Sequence, residues 1–323
     1  MSKVLKIKSV GQTTQQLESQ INWYCNTLNF QLLNIENISD PYLGELIRSP
    51  GANASIATLS LGQEKLELWS FENNIDEYGK QLAAKTIPPD SQSNDLWFQH
   101  ICIVVKDLNQ AFRNGANQAK QISTAPQTLP SWNQSAANIK AVKFEDQIGH
   151  AIEILEFPTD KGAQRWHTID APLFMGIDHT AIGISNTGQS REFYQELLGF
   201  KLVGESINHG QEQDNMDGLA NTKVLITSLR PEDMGMGMGI EFLDYQEPNF
   251  QRRKRLNPQA TDLSEWRISM IVEDVARLHQ KLSQTDAVIS QGPLVPLPPQ
   301  PWGGNQGFQV RDPDGHALLL IGD

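Results

Sequence analysis

The sequence repeats itself at a fixed displacement, and that repeat limits what the chain can fold into. Ile177-Asp178-His179-Thr180-Ala181-Ile182 leads into a segment with Phe193-Tyr194 and closes on Leu198-Gly199-Phe200-Lys201-Leu202-Val203. Near the start, Ile7-Lys8-Ser9-Val10, Trp23-Tyr24 and Leu28-Asn29-Phe30-Gln31-Leu32-Leu33 follow the same spacing. Ser9 to His179, Trp23 to Phe193 and Phe30 to Phe200 are each displaced by 170 positions. A repeat on this scale is a duplicated fold unit, and differences between its copies separate retained polar chemistry from lost chemistry.

A second pair of copies lies inside the first. The run from Phe98 to Asp107, with His100 and Cys102, matches Trp266 to Asp274. The turn and apolar run Asp146-Gln147-Ile148-Gly149-His150-Ala151-Ile152-Glu153-Ile154 matches Asp312-Pro313-Asp314-Gly315-His316-Ala317-Leu318-Leu319-Leu320. Asp and Gly feeding an apolar run is a hairpin signal. Leu17, Ile21, Tyr24 and Leu28 recur at helical spacing after a first strand. The chain thus reads as α+β, built of four tandem βαβββ modules at residues 1–71, 96–157, 175–245 and 263–323. The first two form an N-terminal domain (1–157) and the last two a C-terminal domain (175–323), with 158–174 as linker and further polar stretches near Glu72–Asp95 and Gln246–Asp262.

Composition narrows the partners. A formal charge of −12 argues against a nucleic-acid or anionic-membrane surface, which needs a basic excess. The basic run Arg252-Arg253-Lys254-Arg255 lies between prolines and reads as a solvated loop. No apolar run reaches the roughly 18 residues of a spanning helix. The two cysteines, Cys25 and Cys102, make neither a disulfide framework nor a CxxC pair, which fits a reducing cytoplasm. A small-molecule ligand and a monomer or homodimer are the expected partners.

These modules resemble the vicinal oxygen chelate superfamily, which includes glyoxalase I, bleomycin-resistance proteins and type I extradiol dioxygenases. The resemblance rests on Ile177–Ile184 with Phe193-Tyr194 and Leu198-Gly199-Phe200, on Phe98–Asp107, and on Arg311-Asp312-Pro313-Asp314-Gly315-His316. It implies that modules pair into two cup-shaped mixed sheets with helices outside. It also implies a divalent metal on the concave face, held by residues of the first and last strands of each module.

With modules paired in chain order, the implied positions are Ser9, Glu67, His100 and Glu153 in the N-terminal half and His179, Glu241, Arg267 and Leu319 in the C-terminal half. The first set is richer in ligands. The expected metal ligands are therefore Glu67, His100 and Glu153, in the N-terminal half only, with Glu67 and Glu153 as catalytic carboxylates. Oxygen and nitrogen donors without thiolate suit Zn, Mn, Fe, Ni or Co. The open alternative is that His100 bonds Glu67 or Glu153 directly around a metal-free pocket. Ser9, His179, Glu241 and Arg267 remain candidate ligand-binding residues, with Arg267 and Glu241 expected as a buried pair.

The function implied is a metal-dependent lyase or isomerase acting on a small oxygenated metabolite through a polarised carbonyl or enediol. An extradiol-type ring-cleaving dioxygenase and a non-catalytic binding protein of bleomycin-resistance type are the alternatives. His150 and His316 read as turn residues, His167 and His279 as solvated, and His209 as part of a loop overhanging the C-terminal cavity. The Gly235-Met236-Gly237-Met238-Gly239 tract reads as a turn.

Overall fold

The computed structural model describes residues 2–39, 41–72, 84–232, 237–248, 253–254 and 257–323. Each predicted module is present. The first holds β1 (Val4–Thr13), α1 (Leu17–Leu28), β2 (Gln31–Ile38), α2 (Pro41–Leu46), β3 (Ala54–Leu61) and β4 (Glu64–Phe71). The second holds β5 (Gln99–Val105), α3 (Leu108–Arg113), the short β6 (Lys120–Gln121) and β7 (Gln127–Thr128), β8 (Lys140–Glu145) and β9 (Ala151–Glu156). The third holds β10 (Phe174–Gly183), α4 (Thr187–Arg191), β11 (Lys201–His209), α5 (Gln211–Asp217), β12 (Lys223–Arg230) and β13 (Gly239–Glu247). The fourth holds β14 (Trp266–Val272), α6 (Val275–Leu282), the short β15 (Ser290–Gln291) and β16 (Val295–Pro296), β17 (Gln306–Arg311) and β18 (Ala317–Gly322).

Local chemistry accounts for the repeated helix ends. Asp107, Asn186 and Asp274 each accept a backbone N–H three residues on, capping α3, α4 and α6. The repeat position after α1 requires a left-handed backbone, met by Asn29 at φ 61° in one copy and Gly199 at φ 84° in the other.

The modules do not pair in chain order. Among the described residues there are two nine-stranded mixed sheets. One runs β15-β17-β18-β14-β1-β4-β3-β2, so the first module pairs with the fourth. The other runs β11-β12-β13-β10-β5-β9-β8-β6, pairing the second with the third. The first strands of paired modules meet antiparallel, β1 on β14 and β5 on β10. Each sheet therefore draws on both halves of the sequence, and the segment 158–173 joins two strands of one sheet.

The two modules of each half are nevertheless tied together, from one sheet to the other, at their turns. Asp146 Oδ1 accepts the N–H groups of Ile148, Gly149 and His150, while its Oδ2 accepts the Tyr24 hydroxyl from α1 of the other sheet at 3.1 Å. Asp312 repeats this, with Oδ1 on Asp314, Gly315 and His316 and Oδ2 on the Tyr194 hydroxyl at 3.1 Å. His150 Nε2 then reaches Leu263 O at 2.8 Å and His316 Nε2 reaches Gly183 O at 2.7 Å. The two turn histidines are thus buried clamps between sheets.

The alternating strand period divides the faces. Ile101, Ile103, Ile152 and Ile154 join the helices in one core cluster to which all four modules contribute. His100, Cys102 and Glu153 leave the opposite, concave face. Among the described residues, no helix is long and apolar enough to cross a membrane. Arg253 departs from the solvated-loop expectation: it grips Asp95 with two nitrogens at 2.7 and 2.6 Å. Arg252, Arg255, Gly235 and Met236 lie outside the described residues, as does 73–83 of the first polar stretch.

Candidate metal centre

Cross-half pairing brings together four residues that chain-order pairing kept apart. Glu241 on β13, His179 on β10, His100 on β5 and Glu153 on β9 occupy four adjacent strands. Register places them near one level, with Ala181 paired to both Glu241 and His100, and Cys102 to both His179 and Glu153. One donor atom each from His100, Glu153 and His179 lies within 4.8 Å of the others. Ligands about 2.0–2.2 Å from one ion stand no more than roughly 4.4 Å apart, so small side-chain shifts suffice.

A backbone irregularity aims the histidine. Ile177 pairs with Ile103 and His179 with Cys102, so β10 advances two residues while β5 advances one. Asp178 is the extra residue of this bulge, a device that re-aims side chains near active sites. It leaves Asp178 beside its own neighbour, with Oδ2 3.0 Å from His179 Nδ1. Asp178 Oδ1 is held in turn by Arg230 Nη2 at 2.7 Å and Trp166 Nε1 at 3.1 Å. This carboxylate–imidazole arrangement fixes the ring so that Nε2 faces the cavity, as the outer partners of metal-bound histidines do. Asp178 was missed in the sequence because neighbours on a regular strand point to opposite faces.

The electrostatics favour a cation. His179 Nε2 is buried without a hydrogen bond and stands 3.3 Å from Glu241 Oε2. Burial alone disfavours a charged His179, yet Glu241, Asp178 and Glu153 outweigh it and push the ring up to about 9. His100 goes the other way: burial keeps its ring neutral against the pull of Glu153, its partner at 3.0 Å. Burial also opposes the charge on Glu153, but His100, Lys143 and His179 hold it down at about 2. Glu241 Oε1 accepts the Ser228 hydroxyl at 2.5 Å, and its side chain is the most exposed of the four at 22%. The result is a neutral imidazole, a second imidazole under negative potential, and two carboxylates lining one cavity. Cys102 lies beneath them, but burial keeps its thiol protonated, so it adds no thiolate.

These groups open into a cavity of about 170 Å³. Leu129, Ile139, Leu155 and Met216 supply apolar wall, while Lys143, Gln213 and Asn208 supply polar wall. Asn133 donates to Asn208 at 2.6 Å, and Trp132 stacks on His209 at 4.4 Å, so the loop after β7 is pinned to the end of β11 at the rim. The volume is below the 300–1,000 Å³ common for drug-sized ligands, which suits a small metabolite.

The other concave face is closed and self-neutralised. Its equivalents of Glu241, His179, His100 and Glu153 are Glu67, Ser9, Arg267 and Leu319. Lys8 takes the bulge position that Asp178 takes in the first sheet, since Ile7 pairs with Met270 and Ser9 with Ser269. Its ammonium lies 2.8 Å from Glu67 Oε1, which also accepts the Ser9 hydroxyl at 2.8 Å, and Trp69 Nε1 donates to Oε2 at 3.1 Å. Arg267 does not meet Glu241. It bonds Thr13 and the carbonyl of Ala260 and lies over Trp69 and Phe71, in space kept free because a Cβ on Gly11 would stand 2.8 Å from its Cγ. Trp302 covers Trp69 at 5.9 Å, and about 10 Å³ of cavity is left.

The expected trio Glu67, His100 and Glu153 is therefore split between two sheets, and the metal-capable cluster belongs to both halves rather than the N-terminal one alone. The direct His100–Glu153 contact left open by the sequence is present. His167 is exposed, while His279 is half-buried, with Nε2 3.0 Å from Gly292 O.

A model of the Glyoxalase/Bleomycin resistance protein/Dioxygenase superfamily matches residues 6–154 and 176–320. Among solved structures, glyoxalase I from Zea mays aligns over 100% of this chain and 92% of its own, with 15% identity and a TM-score of 0.61. Mutant forms of the same maize enzyme align with TM-scores of 0.61 and 0.60. A provisionally assigned dioxygenase of Bacillus subtilis aligns over 99% of this chain and 86% of its own, with 10% identity and a TM-score of 0.58. At these identities the likeness concerns the fold. Comparison with curated protein sequences gives no match.

Proposed function

Since the chain belongs to the Glyoxalase/Bleomycin resistance protein/Dioxygenase superfamily, we propose that it is a metal-dependent enzyme, of lyase or isomerase type, acting on a small oxygenated metabolite. The observation that carries this reading is the convergence of His100, Glu153, His179 and Glu241 on one cavity from four adjacent strands. Two imidazoles and two carboxylates suit Zn, Mn, Fe, Ni or Co. A bound cation would supply Lewis-acid polarisation of a substrate carbonyl or enediol oxygen.

The chain's own residues supply the rest. Asp178 holds the His179 ring by Nδ1 and leaves Nε2 as a donor. Glu153, kept ionised by His100 and Lys143, contributes negative charge that a low pH does not readily remove. Glu241 is held by a neutral hydroxyl and is the most exposed of the set, which makes it the carboxylate best placed to take a proton from a carbon beside a polarised carbonyl. The apolar walls limit water around that carbon.

Metal analysis of protein purified without chelator tests the reading. About one equivalent is expected, lost in each of the four single alanine variants. Less than about 0.1 equivalent, with no uptake on titration, sinks it.

A second reading has one observation in its favour. His100, His179 and Glu153 form a two-histidine, one-carboxylate set, the pattern of non-haem iron oxygenases, which neither half supplies alone. Oxygen uptake with catechols by the Fe(II)-loaded protein supports ring cleavage, and its absence alongside metal binding leaves the isomerase or lyase reading standing.

A further inference from the structure

The cavity has a second polar pole that metal binding does not use. Lys143 on β8 pairs directly with Glu153 on β9, so both side chains leave the same face with Cβ atoms about 5 Å apart. A buried lysine on a substrate-facing wall needs a partner. Lys143 Nζ donates to Asp217 Oδ1 at 2.7 Å, and Gln213, one turn earlier on α5, donates Nε2 to Asp217 Oδ2 at 2.7 Å. The three residues are 4%, 2% and 2% exposed.

That bracing leaves one acceptor over. With Nε2 committed to a carboxylate, the orientation of the Gln213 amide is fixed. Its Oε1 is buried and has no hydrogen-bond partner among the described residues, and Gln213 lines the cavity. An ammonium carries three donors, and Asp217 takes one. The wall thus carries a donor and an acceptor on two residues braced by one carboxylate, facing a cavity whose other walls include Leu129, Ile139, Leu155 and Met216.

A hydroxyl satisfies both, accepting from Lys143 and donating to Gln213. A carboxylate satisfies Lys143 but sets an oxyanion against the Gln213 carbonyl. An ammonium satisfies Gln213 but faces Lys143. A methyl group leaves the amide oxygen unpaired, the situation that gives hydrogen-bonding sites their strongest discrimination.

We propose that Lys143 and Gln213, braced on Asp217, form a specificity subsite for a substrate hydroxyl lying a few bonds from the oxygens presented to the cation. The substrate class is a small hydroxylated carbonyl compound on a short aliphatic frame. This rests on the metal-centre reading, with Lys143 and Gln213 as specificity residues.

The test uses the full chain loaded with Zn2+ and isosteric hydroxamate pairs, which chelate a metal through two oxygens. The pairs are glycolohydroxamate against propionohydroxamate, 3-hydroxypropionohydroxamate against butyrohydroxamate, and 4-hydroxybutyrohydroxamate against valerohydroxamate, with affinities measured by calorimetry. At one chain length the hydroxyl member should bind about tenfold tighter or better, the size of a hydrogen bond whose loss strands a buried group. Gln213→Met keeps the Lys143–Asp217 pair, and the double variant Lys143→Gln with Asp217→Asn keeps shape without charge. Each should bring the preference within about twofold, and in Gln213→Met alkyl hydroxamate affinity should stay within about threefold. Alkyl members binding as well at every length, or a preference that survives both variants, overturns the subsite and leaves the metal centre standing. No binding of any hydroxamate overturns the metal centre itself, and the subsite with it.

Discussion

Glu67 and Glu241 occupy equivalent positions, yet the same substitution should have opposite consequences in the two. Glu67 is bound on both oxygens, by Lys8 and Ser9 on one and Trp69 on the other, and its side chain is 5% exposed against 17% for Lys8. Glu67→Gln keeps the shape but turns one acceptor oxygen into a donor. Whichever way the amide is oriented, it faces either the Trp69 N–H or the Lys8 ammonium, and a buried donor loses its acceptor. Stranding such a group costs about 1–3 kcal/mol, and weakening the pair to Lys8 adds to it, so about 3 kcal/mol is expected. At about 2.1 cal/mol/K per residue, a chain of 323 residues has an unfolding entropy of roughly 0.7 kcal/mol/K. The thermal midpoint should fall by about 4 °C in calorimetry, with metal content unchanged. The deficit should also depend on pH. Burial raises the Glu67 pKa, but Lys8, Ser9 and Trp69 outweigh it and set the folded value below the ordinary 4.5. The stabilisation from ionisation is therefore complete above the ordinary value and is lost as pH falls through the depressed one, so wild type and variant converge in acid. Glu241→Gln, by contrast, removes one of several crowded carboxylates. It should move the midpoint of metal-free protein by about 1 °C or less and weaken metal binding by about tenfold or more. Metal lost from Glu67→Gln with an unmoved midpoint, or full metal affinity in Glu241→Gln, refutes the assignment of the two faces.

Three further outcomes follow from the same geometry. His100→Ala and His179→Ala should each leave less than about 0.1 equivalent of metal, and Asp178→Asn, which alters only the support of His179, should weaken binding about 10–100-fold by competitive chelator titration. Stripping the metal should lower the thermal midpoint, because at free metal 100 times its Kd the bound state gains about 2.7 kcal/mol, or roughly 4 °C. Trp302→Ala should cost about 3–5 kcal/mol by denaturant unfolding and add no second metal equivalent, since the face it uncovers still carries Lys8 and Arg267.

The strands and helices of each module and the alternating faces of those strands could be read from the sequence, because strand period and repeat displacement are local properties. The partner of each module could not. Strand β1 presents much the same edge pattern as β10, and β5 as β14, so nothing in a ten-residue window says whether β1 meets β5 or β14. The choice depends on long-range contacts such as Tyr24 on Asp146 and Tyr194 on Asp312, which join modules of one half through their turns while the sheets join modules across halves. One sequence signal was nonetheless available. Of eight positions, pairing in chain order gives two incomplete ligand sets, Ser–Glu–His–Glu and His–Glu–Arg–Leu. Pairing second with third gives His–Glu–His–Glu and leaves Ser–Glu–Arg–Leu. Only the latter sorts every complete module into one site, and a metal site is strongest when its ligands are not divided.

The bulge distinguishes the closed face from the open one on the same strand geometry. Both copies insert one residue at the same place in the first strand, and both point it back toward the glutamate-bearing side of the concave face. In the second-and-third-module sheet that residue is Asp178, which is paired to Arg230 and holds His179 by Nδ1, so the bulge places no cation on the cluster. In the first-and-fourth-module sheet it is Lys8, which places a cation from the chain itself 2.8 Å from the equivalent glutamate. An ammonium on Glu67 excludes a metal both by occupying its oxygen and by repulsion, and Arg267 adds a second positive charge where the other face has His100. Glu67 is therefore a buried structural carboxylate, held by Lys8, Ser9 and Trp69. A retained glutamate at a ligand position is thus a poor guide to a metal site, and the sign of the residue at the bulge is the better one.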